Sequence, residues 1–223
     1  MITSLKHRTL SSAVVDDLRD AILQGLYPPG AQLKQDALAA TYAVSRIPVR
    51  EALFQLEDEG LVEIKPHKGA VVKALSLSEI NEVFDLRVLL ERRLLADAIP
   101  KMTTADFARI ETLQKAFDDI VASGDLSGSG YTNAEFHLAL YAAANLPRTS
   151  GIVAGLLQTS VRYTRLQLSA ARALAKAGRE HRQIATLCRK RDVNAACTLL
   201  VAHIEGVRAD LSGVLQRKFG PLG

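Results

Sequence analysis

The sequence predicts a mainly α protein: an N-terminal helical unit closed by a β-hairpin, residues 1–75, followed by an antiparallel all-α helical bundle, residues 76–223. Three observations predict it. From Val14 to Leu56 apolar residues recur at helical spacing in separate runs, and two short runs rich in Val and Ile then flank the turn Pro66-His67-Lys68-Gly69. Ser76-Leu77-Ser78-Glu79 has the form of a capping box, which opens a new helix and marks a domain boundary. Beyond it the segments keep helical periodicity with no strand alternation, so packing helix on helix is the way to bury their apolar faces.

In the first unit, Ser11 or Ser12 caps a helix that turns Val15, Leu18 and Ile22 inward and holds Asp16 and Asp17 near its positive end. Gly25 ends it, and Pro28-Pro29-Gly30 turns the chain towards a short helix over 35–41. In the next helix Ser45 is the N-cap, and Pro48 sits in the first turn, where a missing N–H costs little. Val49, Ala52, Leu53 and Leu56 form its apolar face, while Arg46 and Arg50 are neighbours on another face at its start. Gly60 stops it, and strands over 61–64 and 70–73 follow. A helix buried on one side with arginines at its N-terminal end suits a DNA major groove, and the whole pattern is a winged helix-turn-helix.

The bundle begins with a helix running to Pro100, on which Ile80, Val83, Phe84, Arg87, Glu91, Leu94, Leu95 and Ala98 keep helical spacing. Thr103 or Thr104 caps a second, with Phe107, Ile110, Leu113, Phe117 and Val121 inward. The Gly/Ser-rich stretch 123–130 is a loop. Further helices cover 131–144, 147–175 and 179–189, and Asp192 caps a last one extending to 218.

The formal charge of +4 does not lie in the first unit, where nine Lys/Arg balance nine Asp/Glu. The basic signal there is local: Arg46 and Arg50, then Lys65, Lys68 and Lys73 with no acid between Ile64 and Lys73. No apolar run approaches a membrane span and no secretory leader pattern stands at Met1, so a cytoplasmic protein without membrane contact is expected. Cys188 and Cys197 form no CxxC pair and are expected as buried, reduced thiols.

Three histidines fall in the bundle. Asn133 and His137 are one helical turn apart and share a face. His181 and His203 flank the connection at 190–192, and at ~1.5 Å per residue both stand roughly 15–18 Å from it, so they face each other across an antiparallel pair. Three neutral imidazoles with an oxygen ligand suit zinc or another borderline divalent ion; histidines filling a polar core satisfy the same pattern. Arg87 interrupts an apolar face and needs an acid, either Glu91 or Glu135 within the chain or an anionic ligand. Arg162 is a second candidate for an anion, and Glu180 is placed to orient a neighbour. There is no HExxH and no acid in an obvious general-base position, which argues against an enzyme.

The run from Val14 to Val72 resembles the DNA-binding domain of the GntR family of bacterial transcription regulators. The resemblance rests on Leu18, Ala21-Ile22, Gly25, Pro29-Gly30, Leu33, Leu38-Ala39, Val44-Ser45-Arg46, Pro48-Val49-Arg50-Glu51-Ala52-Leu53, Leu56, Gly60-Leu61-Val62 and Gly69. Two positions depart: Ile47 stands where Thr or Ser is common, and Asp36 stands where some relatives carry a backbone-contacting arginine. Residues 78–215 resemble the FCD ligand-binding domain of the FadR-like branch. The pattern is Glu82-x4-Arg87-x3-Glu91, Asn133-x2-Phe136-His137-x2-Leu140, Glu180-His181-x2-Ile184 and Asp192-x3-Ala196-x6-His203.

The resemblance implies a ligand-responsive regulator, most often a repressor, that binds near-palindromic double-stranded operator DNA as a homodimer. It implies DNA contacts from Ser45, Arg46 and Arg50, and from His67, Lys68 and Gly69 of the wing. It implies a divalent metal, zinc first, held by Asn133, His137, His181 and His203, with Asn133 where Asp is usual. It also implies a small organic acid as effector, for which Arg87 and Arg162 are the candidate contacts. The alternative is an effector-blind DNA-binding regulator with a structural or lost metal site.

Overall fold

The structure, a computed structural model, describes residues 10–24, 26–65, 69–73, 76–124, 128–168 and 171–219. The chain divides into two compact units, Met1–Leu75 and Ser76–Gly223.

The first unit runs α1 (Leu10–Gln24), β1 (Gln32–Leu33), α2 (Gln35–Thr41), α3 (Arg46–Asp58), β2 (Val62–Lys65) and β3 (Gly69–Val72). Val14, Val15, Leu18 and Ile22 of α1 close over Leu38, Val49, Ala52, Leu53 and Leu56, with Val62, Ala70 and Val72 completing the core. The expected cap of α1 is corrected: the helix already includes Leu10, so Ser11 and Ser12 lie inside its first turn. The three strands are antiparallel in the order β1-β3-β2, with Val62 opposite Val72 and Leu33 opposite Ala70. β1 escaped the sequence reading because two residues are too few to show alternation.

Ser45 has the extended backbone of an N-cap (φ −70°, ψ 168°), yet its side chain makes no capping hydrogen bond. Pro48, three positions on, lacks the N–H that such a cap would bond. At the other end Gly60 is left-handed (φ 72°) and donates to Glu57 O at 2.8 Å, while Leu61 donates to Leu56 O at 2.9 Å. This 6→1 and 5→2 closure turns the chain into the hairpin. Gly69 is left-handed at the start of β3, and a Cβ there would stand 3.4 Å from Leu33 O. Gly25, Pro66, His67 and Lys68 lie outside the described residues.

The second unit is helical: α4 (Leu77–Ala98), a 3₁₀ turn (Ile99–Lys101), α5 (Thr104–Ser123), α6 (Ser129–Tyr141), α7 (Pro147–Leu168), α8 (Ala171–Arg189) and α9 (Val193–Phe219). Ser76 accepts from the Glu79 N–H (3.3 Å), Thr103 and Asp106 form a reciprocal capping box, and Asp192 accepts from the Ala195 N–H (3.0 Å). α4 packs against α6, α7 and α9; α5 packs against α6 and α8; α8 packs against α9.

The bounds of three helices are corrected. The helix expected over 147–175 ends at Leu168, and α8 starts at Ala171 rather than 179. The Ala-rich run 171–177 has high propensity in either helix, so local sequence could not assign it. Gly178 lies inside α8, where a Cβ would come within 3.1 Å of Asp118 Oδ1 on α5. The second correction is that α6 starts at Ser129 and stops at Tyr141, before the expected 144.

The α8–α9 corner is held by Arg191, left-handed at φ 59°, whose guanidinium donates to Ile99 O and, at 2.5 Å, to Met102 O. Cys188 and Cys197 are buried and free, and burial pushes the Cys188 thiol up to about 12. Among the described residues no helix is long and apolar enough to cross a membrane.

Candidate metal centre and nucleic-acid interface

Three helices each deliver one buried histidine to a common point: α6 brings His137, α8 brings His181 and α9 brings His203. One ring nitrogen from each lies within 4.8 Å of the others. The ring centroids of His181 and His203, the pair whose equal height along an antiparallel hairpin follows from helix rise, are 4.9 Å apart. His137 stands 5.4 Å from each of them.

Carboxylates orient the outer nitrogens of two of the three histidines, His137 and His203. His137 Nδ1 lies 3.1 Å from Glu91 Oε2 and 3.2 Å from the Tyr141 hydroxyl oxygen. Tyr141 donates to the same Oε2 at 2.6 Å, and Arg87 Nε donates to Glu91 Oε1 at 2.5 Å. His203 Nδ1 lies 2.7 Å from Glu180 Oε2, so Glu180 does orient a neighbour. Burial brings the pKa of His137 down to about 4 against the opposing pull of Glu91. Burial works in the other direction on Glu91, but Arg87 and His137 outweigh it and the carboxyl stays well below its ordinary range. Burial, then the neighbouring His203 and His137, lowers His181 well below an ordinary imidazole. Neutral His137 therefore donates through Nδ1–H and keeps a lone pair on Nε2.

That lone pair has no partner. His137 Nε2 and both nitrogens of His181 are buried without a hydrogen bond. His181 is stacked on Phe136 at 4.2 Å between centroids and tilted against Phe117 at 5.1 Å. Leaving buried polar atoms unsatisfied costs about 1–3 kcal/mol each. An all-imidazole donor set in which carboxylates hold the outer nitrogens of His137 and His203, while His181 is held by ring packing, fits a borderline divalent cation.

Asn133 is buried one turn before His137 on α6. Arg87 is buried, pairs with Glu91, and has its guanidinium 5.0 Å from the Phe84 ring centroid. Glu135, the other acid considered for it, instead faces Arg109 at 3.8 Å on the surface. The Arg162 side chain lies outside the described residues. Tyr141 was not singled out from the sequence, although it stands at i+4 from His137 on one helical face.

In the first unit Ser45, Arg46 and Arg50 are exposed at the start of α3. Arg46 forms an ion pair with Asp36 of α2, both side chains standing in solvent. Gly69 opens β3, whereas His67 and Lys68 lie outside the described residues. Behind α3 an ion pair not foreseen from the sequence joins it to α1: Arg19 Nε and Nη2 donate to Glu59 at 2.7 and 2.6 Å, both residues buried.

A three-helix winged unit with exposed arginines, followed by a helical unit with a histidine centre, defines a class of two-domain transcription regulator. The description "Bacterial regulatory proteins, gntR family" matches residues 10–72, and "FCD domain" matches residues 82–206. The chain belongs to the GntR family and carries an FCD domain. It is 32% identical over 216 residues to the HTH-type transcriptional regulator LutR of Bacillus subtilis (strain 168), covering 87% of this chain and 98% of that one. It is 33% identical over 138 residues to an uncharacterized HTH-type regulator in the TAR-I ttuE-ttuC' intergenic region of Agrobacterium vitis, covering 60% of this chain and 80% of that one. The crystal structure of a GntR regulator from Rhodococcus sp. RHA1 superposes with a TM-score of 0.66 at 25% identity, covering 91% of this chain and 97% of that one. The chain is a DNA-binding transcription regulator and not an enzyme.

Proposed function

We propose that this regulator works in the cytoplasm as a homodimer on a near-palindromic operator, represses transcription there, and responds to a small organic acid bound in its FCD domain. His137, His181 and His203 would hold a divalent ion, zinc by the chemistry of three imidazoles, with Asn133 as a neutral oxygen ligand. When bound, the ion supplies a positive charge for a carboxylate. Arg87 and Arg162 are the proposed anion contacts on the protein. Ser45, Arg46, Arg50, His67, Lys68 and Gly69 would meet the DNA. Effector and DNA binding are then linked by a coupling free energy.

The observation that carries this reading is the convergence of buried ring nitrogens without partners, His137 Nε2 and both of His181. The test is elemental analysis of untagged protein, followed by thermal melts with a panel of small carboxylates in the presence of zinc or a chelator. A stoichiometric divalent ion, with a carboxylate that raises Tm only when the ion is present, is expected. Protein that binds no zinc and ignores the panel would sink the reading. Asn133, a neutral donor buried where the resemblance leads one to expect Asp, favours one alternative, an effector-blind regulator with a structural ion. There zinc would raise Tm and no carboxylate would add to it.

A further inference from the structure

Among the described residues of the helical unit, the large apolar side chains left exposed are Leu86, Leu89 and Ile152, at 39%, 67% and 55%. Two lie on α4 and one on α7, and these helices pack against each other. A single exposed leucine is ordinary. What surrounds these is not. Along the exposed face of α4 the stripe is Glu82, Leu86, Leu89 and Arg93, at intervals of four, three and four. That is the spacing of a coiled-coil seam, about 16 Å long at ~1.5 Å per residue.

The stripe is also self-complementary. Its midpoint falls between Arg87 and Val88, and reversing the helix about that point exchanges Glu82 with Arg93 and Leu86 with Leu89. Two copies of α4 lying antiparallel across a two-fold axis would place Glu82 opposite the partner subunit's Arg93 and Leu86 opposite the partner subunit's Leu89. A parallel arrangement would set like charges against each other. Neither Glu82 nor Arg93 forms an ion pair within the chain among the described residues, whereas the adjacent Asp85 is tied to Arg208. On the α5–α8 face, by contrast, Arg182 pairs with Asp118, Arg189 with Glu111 and Lys115 with Asp119.

We propose that the Glu82-Leu86-Leu89-Arg93 face of α4 is the isologous seam on which a second copy of this chain docks antiparallel, flanked by Ile152 of α7. This rests on the homodimer reading and adds its location. An isologous contact needs the same patch on both copies to fit itself, and opposed charges at the two ends select the antiparallel register.

The experiment is sedimentation equilibrium of the full chain for wild type, Leu89→Arg, Glu82→Arg, Arg93→Glu and the double variant Glu82→Arg/Arg93→Glu, with circular dichroism to check the fold. Wild type should be a dimer. Leu89→Arg and each single reversal should raise the dimer dissociation constant at least tenfold with unchanged helicity. The double variant, which only exchanges the two ends of the stripe, should return to within about threefold of wild type. A monomeric wild type would overturn the homodimer reading itself. A dimeric wild type whose Leu89→Arg variant associates equally well would overturn the seam and leave the dimer standing. Loss of association in Leu89→Arg without rescue in the double variant would overturn the antiparallel register.

Discussion

His137 Nδ1 lies 3.1 Å from Glu91 Oε2, and that carboxylate also takes hydrogen bonds from Tyr141 and Arg87. One fully buried acid on α4 thus sets the tautomer of a histidine on α6. With Nδ1–H committed to Glu91, the remaining lone pair of His137 is left on Nε2, and that is the nitrogen without a partner. Glu91 also fixes Arg87, so the arginine predicted to reach an anion is first of all the counter-charge of this acid.

Glu91→Gln should therefore be costly. It leaves the Arg87 guanidinium buried without its counter-charge, a loss of about 3–5 kcal/mol where a buried pair is broken from one side. Urea denaturation of the intact chain measures it, and the double variant Arg87→Met/Glu91→Leu should recover much of the loss because neither charge then remains. A loss below ~1 kcal/mol in Glu91→Gln would contradict a buried, ionised pair.

Metal-free protein should lose stability as the pH falls from about 6.5 towards 4. The folded pKa of His137 is down to about 4 from 6.5, and His181 is shifted the same way, both chiefly by burial. In that window the unfolded chain binds protons that the folded chain refuses, so the stability present above 6.5 is lost on acidification. The slope is roughly 1.4 kcal/mol per pH unit for each histidine within its window. Denaturation curves in chelator at stepped pH would show it. A flat profile between 6.5 and 4.5 would mean that these imidazoles are already charged in the native state.

Zinc should stabilise the protein, and His203→Ala should lose most of that gain. A ligand that binds only the native state contributes about 2.7 kcal/mol at a hundredfold excess over its Kd. Asn133→Asp, which replaces a neutral oxygen donor by a carboxylate, should retain more metal after mild chelation. Elemental analysis and melts with and without zinc report both; equal zinc shifts in wild type and His203→Ala would show that His203 is not a ligand.

Arg50→Ala should weaken binding to an operator selected from a random DNA library by about 1–3 kcal/mol at matched salt, the range for a lost bidentate base contact. Asp36→Ala releases Arg46 from an exposed pair worth at most ~1 kcal/mol and removes a negative charge beside the proposed DNA face. It should tighten binding slightly, most at low salt. Fluorescence anisotropy measures both, and unchanged affinity in Arg50→Ala would remove α3 from the interface.

Much of this molecule was legible in its sequence, because much of it rests on local signals. The apolar face of α3, the glycine closure at Gly60 and the caps at Ser76, Thr103 and Asp192 are each set within a few residues, where spacing and side-chain type carry the information. Even the meeting of His181 and His203 follows from helix rise across one short connection.

Other features depended on how helices are rotated about their axes and which ones become neighbours, and spacing along one segment contains neither. Glu91 could be seen from the sequence as a partner of Arg87, but its hold on His137 and Tyr141 exists only because α4 and α6 pack face to face. The Arg19–Glu59 pair joins residues 40 apart and needs α1 to cross α3. The Ala-rich run at 171–177 went to α8, a choice its own propensity could not make; there Leu174 and Ala177 pack with Phe117 of α5. The sequence alone determined the main apolar face of most elements, though on α5 it is Gln114 that is buried beside Ile110 and Phe117 while Phe107, Leu113 and Val121 stay partly exposed. Tertiary packing decided which side chains touch, because burial makes an unpartnered charge or ring nitrogen costly and so couples groups far apart in the chain.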